Sequence, residues 1–267
     1  MDKIRKLYGR FSVGLVLIKN IKNWLSVFFN YLGIKKEKYI IHHLKDGNIV
    51  KIRRPEKKGE TSGLANIYEI FLIKNYNPKG MEIKKNDVVI DIGANIGVFT
   101  IYSSILSKNG RVYAYEPFKT HFNRLLENIK INNFNNVKAF NLAVCGSKGK
   151  RNLNISNISS GMHSFFFEGS GKKVSVEGTT LKEIFDFNKI KKCDFLKLDC
   201  EGAEYEILYN APKETFKKID KIALEWDNLD NKKMNVTSLK NFLEKRGFRV
   251  AIKGEDQKAG ILYAKKL

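Results

Sequence analysis

A glycine-containing stretch at residues 91–97, Asp-Ile-Gly-Ala-Asn-Ile-Gly, carries the strongest chemical signal in the sequence. Glycines let a backbone turn sharply and approach a ligand, which then lies at the N-terminus of the following helix. The stretch is not the dinucleotide pattern GxGxxG, because Asp91 replaces its first glycine, where a pyrophosphate would have to lie. A carboxylate there favours a cationic ligand, such as the ammonium and sulfonium of S-adenosylmethionine. The alternative is an ordinary turn from strand to helix.

Four further acidic residues lie at the ends of two predicted strands. Glu116 ends the strand at 111–116, where an acid can accept both ribose hydroxyls of an adenosine cofactor. Asp199, Glu201 and Glu204 come directly after the apolar stretch 195–198. Glu201 and Glu204 are three residues apart and would share a helix face if the helix starts at Glu201, with capping of the helix N-terminus as the plainer interpretation.

A hydroxyl acceptor must lose its proton, so a carboxylate within hydrogen-bond reach would help a methyl transfer whose main requirement is alignment. Asp199 is the first candidate for this base and Glu201 the second. His163 is a rival base or an ordinary surface residue. Glu225 ends a further strand, and with Asp199 and Glu201 it could instead chelate Mg²⁺. No spacing fixes such a site, and we predict no metal.

The elements that position these residues alternate between strand and helix, which predicts an α/β fold with a doubly wound, mostly parallel sheet. Strands are predicted at 87–92, 111–116, 137–144, 194–198, 219–226, 248–252 and 261–265, and helices at 95–107, 119–132, 180–187, 203–209 and 237–246. The Gly- and Ser-rich stretch 145–178 is predicted as short strands or a flap.

The N-terminal part differs in composition from the rest. Residues 1–58 hold 15 Lys and Arg against 4 Asp and Glu, more than half of the net charge of +21. Residues 8–32 mix apolar and aromatic side chains with lysines, which is typical of a helix at a membrane interface or of a helix packed on the domain. We divide the chain into 1–37, this basic segment; 38–80, a hairpin (38–44 and 48–53) and a helix (63–76); and 81–267, the main domain.

Composition sets further limits. The 267 residues suffice for one sizeable domain, and the three cysteines form no CxxC pair, which favours reduced thiols. No apolar run reaches the length of a spanning helix, and no secretory signal is visible. We therefore expect a cytoplasmic protein, with contact at the inner face of the membrane as an alternative for residues 8–32.

The stretches 68–76 (Tyr68-Glu69 through Tyr76), 88–100 (VVIDIGANIGVFT), 113–117 (YAYEP), 141–146 (NLAVCG), 195–208 (FLKLDCEGAEYEIL) and 222–226 (IALEW) resemble the FkbM family of S-adenosylmethionine-dependent methyltransferases. The resemblance implies a seven-stranded sheet with an antiparallel last strand. It also implies O-methylation of sugars, glycolipids or polyketide-like hydroxyls, hence a small-molecule or glycan acceptor. By the same resemblance Asp199 to Glu204 would border the reacting methyl, and the cofactor would be held by Asp91, Gly93, Asn95, Gly97, Glu116, Ala143 and Asp199.

The sequence departs from the family pattern on the acceptor side. Thr180-Leu181-Lys182 stands where relatives often have Thr-Leu-Asp, and no His follows Glu225. Three other functions stay open. An RNA ribose 2'-O-methyltransferase would use Lys197 with Asp199, although the positive charge does not follow a folded groove. A NAD-dependent oxidoreductase is disfavoured by Asp91. The third is a protein that has the cofactor-binding fold but no catalytic activity and serves as a binding module.

Overall fold

The computed structural model describes residues 18–31, 34–35, 37–45, 47–54, 64–154, 173–229, 233–254 and 259–267. The strands are β1 (Tyr39–His43), β2 (Ile49–Arg53), β3 (Val88–Ile92), β4 (Arg111–Tyr115), β5 (Val137–Phe140), β6 (Ala143–Cys145), β7 (Gly149–Asn154), β8 (Lys173–Thr180), β9 (Phe195–Leu198), β10 (Lys221–Asp227), β11 (Phe248–Lys253) and β12 (Ala259–Lys266). The helices are α1 (Trp24–Tyr31), α2 (Leu64–Ile67), α3 (Val98–Leu106), α4 (Lys119–Ile131), α5 (Leu181–Phe187), α6 (Glu204–Tyr209), α7 (Lys213–Lys217) and α8 (Val236–Glu244), and α2 continues as a π-helical stretch, Tyr68–Leu72.

Seven strands form the main sheet in the order β11-β12-β10-β9-β3-β4-β5. The pairs that β3 makes with β4 and β9 are parallel, as are the pairs β4–β5 and β9–β10. The last strand, β12, is antiparallel to both of its neighbours. The predicted fold class is therefore confirmed. The carboxyl ends of β3, β4, β9 and β10 lie side by side, which is where open α/β sheets bind ligands.

Helices cover both faces of this sheet. Along β3, Ile90 and Ile92 belong to the hydrophobic cluster that includes residues of α5, α6 and α8, whereas Val89 belongs to the cluster of α3 and the π-helical stretch. Burial on both faces explains the nearly continuous apolar run in the sequence of β3. A charged side chain in such a strand needs a partner inside the protein, because no water reaches it.

The N-terminal elements share the core of the main domain. Ile21 and Val27 lie in the same hydrophobic cluster as Phe99 of α3, and the β1–β2 hairpin contacts α4. The backbone N–H of Arg53 donates to Asn128 Oδ1 over 2.9 Å, and that of Lys51 donates to Asn132 Oδ1 over 3.0 Å. The core is thus continuous across the boundaries predicted at residues 37 and 80, and the division into three units stays a prediction.

Several element bounds differ from those predicted. The single strand predicted at 137–144 is two strands, because β6 leaves the main sheet and pairs with β8 in a second sheet of order β6-β8-β7. The helix predicted at 63–76 ends at Leu72 and is π-helical over its last five residues. Helix α7 was not predicted. The predicted hairpin is confirmed, although Asp46 of its turn and residues 155–172 of the flap lie outside the described residues. None of the helices in the described part is long and apolar enough to cross a membrane.

Candidate active site

The glycine stretch forms a tight loop between β3 and α3. Gly93, Asn95 and Gly97 have φ angles of 73°, 51° and 90°, in the left-handed region that favours glycine. A Cβ atom on Gly93 would lie 1.8 Å from the backbone oxygen of Asp199, so only glycine fits where the loop meets the end of β9. A Cβ atom on Gly97 would lie 2.5 Å from Leu125 of α4. The first glycine thus joins two strand ends, and the last one lets α4 approach.

A cavity of about 280 Å³ opens at these strand ends. Its lining is acidic and partly aromatic: Asn66, Glu69, Ile70, Tyr76, Ile92, Gly93, Asn95, Tyr115, Glu116, Pro117, His121, Ala143, Val144, Leu153, Asp199, Cys200, Glu201 and Glu225. Six of the predicted site residues, Gly93, Asn95, Glu116, Ala143, Asp199 and Glu201, therefore lie together. Asp91 and Gly97 are not part of the lining, and His163 lies outside the described residues.

Asp91 lies behind the loop and not in the cavity. Its side chain is fully buried, its Oδ2 accepts a hydrogen bond of 2.6 Å from the Thr100 hydroxyl, and its Oδ1 lies 3.2 Å from Lys197 Nζ. The cation that this carboxylate faces in the structure is thus the protein's own lysine. A direct contact between Asp91 and the cofactor stays a prediction, and the geometry gives Asp91 the additional task of holding Lys197.

Lys197 connects the loop to the end of β9. Its Nζ donates to the Gly93 carbonyl over 2.9 Å and lies 3.3 Å from Asp199 Oδ2. Burial lowers the pKa of Lys197, but the carboxylates of Asp199 and Asp91 outweigh burial and hold that pKa above its ordinary value. The sequence offered a signal for this residue, since a lysine inside a buried parallel strand must be paired.

Glu116 lies at the end of β4, as predicted, and is 5% exposed. Its Oε2 accepts from the backbone N–H of Asn95 and its Oε1 from that of Phe118, both over 2.8 Å. Burial raises the pKa of Glu116 to about 7, against the lowering effect of these two hydrogen bonds. Each oxygen keeps a second lone pair and Glu116 lines the cavity, so the carboxylate can still accept from ribose hydroxyls.

Asp199 is at the centre of the acidic side of the cavity. Its Oδ2 lies 3.1 Å from the Tyr76 hydroxyl, and that hydroxyl also contacts Glu225 Oε1. The charge of Asp199, followed by burial, raises the pKa of Glu225 to about 8. Burial, followed by the charge of Asp199, raises the pKa of Glu201 to about 8 and raises that of Glu69. A cation bound here would relieve this repulsion, so the residues present fit a sulfonium ligand.

Glu201 and Glu204 have different tasks. The helix α6 begins only at Glu204, and Glu201 has a φ of 53°, so the condition for a common helix face, a helix that starts at Glu201, is not met. Glu204 is buried, and its carboxylate accepts from the backbone N–H groups of Cys200 and Gly202. Glu204 therefore ties the turn before α6 to the first residue of the helix, and no side chain caps this helix N-terminus. Glu201 lines the cavity. Among the described residues, no group of three or more His, Cys, Asp or Glu is arranged to hold a metal ion.

Tyr76 is the main residue that the sequence analysis missed. It lies in the connection between the π-helical stretch and β3, and it packs edge-on against Phe99 with ring centroids 5.4 Å apart. It ends the stretch 68–76 that resembles the FkbM family, but no local pattern gives it a role in the site, since a single tyrosine after a helix is ordinary in a sequence. Only the fold brings its hydroxyl between the ends of β9 and β10.

Comparisons with known proteins give the family and the fold. The family model described as the methyltransferase FkbM domain matches residues 91–250. "Methyltransferase 1" of Beauveria bassiana (strain ARSEF 2860) is 25% identical over 208 residues, 70% of this chain and 82% of that protein. The hexuronic acid methyltransferase AglP of Haloferax volcanii is 30% identical over 128 residues, 48% of this chain and 51% of that protein. The crystal structure of methyltransferase FkbM from Methylobacillus flagellatus KT has the same fold, with a TM-score of 0.50 at 15% identity, over 79% of this chain and 56% of that one.

Proposed function

The chain belongs to the FkbM family of S-adenosylmethionine-dependent methyltransferases, and we propose that it methylates a hydroxyl group of a sugar, a glycolipid or a related small molecule. The observation that carries this proposal is the position of Asp199, whose carboxylate lines the cavity and is held through Oδ2 by Tyr76 and Lys197. A carboxylate fixed in this way is suited to accept a proton from a hydroxyl. The relative named a hexuronic acid methyltransferase also supports a sugar acceptor.

Lys197 gives an argument against an RNA ribose as the acceptor. That alternative needs the lysine beside the reacting hydroxyl, but Lys197 is 2% exposed and lies behind the cavity lining. Its ammonium is already occupied by Asp91, Asp199 and the Gly93 carbonyl. The RNA function is therefore not favoured.

The variant Asp199→Asn tests the role of the base. It keeps the size of the side chain but removes the basic oxygen, so we expect S-adenosylhomocysteine to bind within a few-fold of wild type by titration calorimetry. Turnover should fall by a factor of about 10²–10⁴. Asp186→Asn, an exposed carboxylate on α5, is the matched control. An unaltered rate in Asp199→Asn would overturn the assignment of Asp199 as the base. Glu201 and His163 would then be the remaining candidates for the base.

A panel of acceptors tests the substrate class. Hexuronic acids, neutral sugars and glycolipids are offered with S-adenosylmethionine, and the matching amino sugars and a structured RNA serve as comparisons. We expect a product heavier by one methylene for a hydroxyl-bearing sugar, and the methyl group on oxygen by NMR. Methylation of only the amine or the RNA would contradict the proposal.

We also propose that the N-terminal segment, residues 8–32, touches an anionic membrane surface at the inner face of the membrane. Within its described part, α1 packs Val27 inward, while Leu25, Phe28 and Phe29 are 51%, 43% and 37% exposed at i, i+3 and i+4 on one face. The exposed lysines Lys19 and Lys22 precede α1 in the sequence, and the exposed Lys35 follows it. An apolar stripe with a basic border is the composition of an interfacial helix.

Co-sedimentation of the full chain with vesicles tests this contact. We expect binding to vesicles that contain an anionic lipid, weak binding to neutral ones, and at least about a tenfold loss in the triple variant Leu25→Ser, Phe28→Ser, Phe29→Ser. Ile252→Ser, an exposed apolar residue of β11, is the control. Equal sedimentation of wild type and the triple variant would show that α1 serves only packing.

A further inference from the structure

The hydroxyl of Tyr76 lies between two carboxyl groups that come from different strands. It is 3.1 Å from Oδ2 of Asp199, which follows β9, and closer still to Oε1 of Glu225, which lies in β10. Tyr76 is 4% exposed, so water cannot replace either contact freely. Three oxygen atoms in a row are thereby held within hydrogen-bond distance of their neighbours.

The count of protons in this row decides its chemistry. A phenol carries one proton and can donate it to one acceptor only. The contact with the other carboxyl group then has no proton between its two oxygens. It is attractive only if that carboxyl group is itself protonated and donates to the Tyr76 oxygen. The row therefore holds one proton in addition to that of Tyr76.

The surroundings place the extra proton on Glu225. The ammonium of Lys197 is 3.3 Å from Asp199 Oδ2, which favours the ionised form of Asp199. The charge of Asp199 and burial act on Glu225 in the opposite sense, and its pKa is raised to about 8. The other charged or titratable groups that act on this row are Glu69, Asp91, Cys200, Glu201, Glu204 and Asp227.

We propose that Glu225 is a neutral carboxylic acid in the working enzyme and donates to Tyr76, which donates to Asp199 and so keeps that general base ionised and oriented. Tyr76 and Glu225 are then positioning residues, and this inference rests on the proposed function. With Oδ2 occupied by Tyr76 and Lys197, the other oxygen of Asp199, Oδ1, has no hydrogen-bond partner among the described residues and can receive the acceptor's proton.

The transfer balances with this assignment. The acceptor's O–H bond breaks and its proton goes to Asp199 Oδ1, while the oxygen electron pair forms the bond to the methyl carbon. S-adenosylmethionine supplies that methyl from a sulfonium, whose sulfur keeps the electron pair of the broken bond. Asp199 later loses its proton to water, and the protons on Tyr76 and Glu225 stay in place.

A pH titration of the ligand-free protein tests the proton on Glu225 independently of turnover. With ¹³C-labelled glutamate, the resonance that disappears in Glu225→Gln is assigned to Glu225, and the exposed Glu214 of α7, assigned in the same way, is the control. We expect the Glu225 carboxyl carbon to titrate with a midpoint near the raised pKa of about 8. A midpoint near about 4.3, the ordinary value for glutamate, would overturn the proposal.

Kinetics of matched variants test the positioning. Glu225→Ala and Tyr76→Phe should each lower kcat about 10–100-fold with little change in KM, since each removes the hydrogen bonding that orients the base. Glu225→Gln should restore the rate lost in Glu225→Ala, because its amide also donates to Tyr76. In the wild type we expect kcat to fall above about pH 8, where Glu225 loses its proton, and Glu225→Gln should abolish this fall. Equal losses in Glu225→Gln and Glu225→Ala would overturn the proposal. A full rate in Asp199→Asn would instead overturn the proposed function, and the titration would still report on Glu225.

Discussion

At the residue scale, Lys197 is the side chain on which the arrangement of the site depends. It is surrounded by Asp91, Asp199 and the Gly93 carbonyl, and its Nζ lies 5.5 Å from the centre of the Tyr76 ring. One buried cation thus offsets two carboxylates and fixes the glycine loop against β9. A buried pair of this kind adds little net stability, but it becomes costly when one partner is removed.

Lys197→Met should therefore be strongly destabilising. It keeps the length and the apolar stem of the side chain but leaves Asp91 buried without a counter-charge, which costs about 3–5 kcal/mol of unfolding free energy. Urea denaturation measures the loss. Lys240→Met on the surface of α8, where the pair with Glu244 is exposed, should change the free energy of unfolding by less than about 0.5 kcal/mol. Equal stability of the two variants would contradict the assigned role of Lys197.

At the element scale, the loop after β3 is held against the ends of two neighbouring strands. This close approach requires a glycine at position 93. The loop after β3 touches β9 through Gly93, and the same loop contacts β4 through the Glu116 carboxylate. The residues that make these contacts, Gly93, Asn95, Glu116 and Asp199, all line the cavity. Side chains of the described helices contribute less to the lining than the strand ends and connecting loops do.

Gly93→Ala should disrupt this loop. The new Cβ would lie 1.8 Å from the Asp199 oxygen, at a φ of 73° that alanine disfavours. Gly80→Ala is the matched control, because Gly80 has a φ of 91° and nothing within 4 Å of its Cβ position. We expect the control to lose about 1–2 kcal/mol from backbone strain and Gly93→Ala to lose about 1–3 kcal/mol more.

Calorimetry completes this test. Gly93→Ala should lose measurable affinity for S-adenosylhomocysteine, and Gly80→Ala should bind as the wild type does. If both variants bound the ligand equally, the loop would not be part of the cofactor site.

The sequence was sufficient for those parts of the site that follow from the order of elements. Glu116 and Asp199 could be predicted because each ends a parallel strand, and such ends converge at one edge of the sheet. Tyr76 could not, because its place depends on how a connection folds over that edge. The split of the strand predicted at 137–144 was missed for a related reason: β6 pairs with β8, whose residues are distant in the sequence, and local periodicity holds no information on such pairing.

At the scale of the whole molecule, acids that are fully or partly buried make the stability of the ligand-free protein depend on pH. The pKa of Glu225 is raised to about 8 by the charge of Asp199 and by burial, that of Glu201 to about 8 by burial and the charge of Asp199, and those of Glu116 and Glu204 to about 7, chiefly by burial. In the unfolded chain these groups titrate near about 4.3. The folded protein therefore binds more protons than the unfolded chain at neutral pH, and its stability is lost as pH rises toward 8.

We expect the free energy of unfolding to fall between about pH 6.5 and 8, by at most about 1.4 kcal/mol per pH unit for each group. Below this window, His42 acts in the opposite direction, because burial lowers its pKa to about 4. Urea denaturation across the window measures the slope. Glu225→Gln should flatten it, and Glu214→Gln on the surface should not. A stability that rises with pH over this range would contradict the raised pKa values of these acids.

The central claim is that the cavity at the ends of β3, β4, β9 and β10 binds the cofactor. A crystal structure of the protein with S-adenosylhomocysteine tests it most directly. We predict the ribose hydroxyls at Glu116, the amino acid end at Gly93 and Asn95, and the sulfur on the side of Asp199. Adenosine bound elsewhere, or a sulfur turned away from Asp199, would contradict the account.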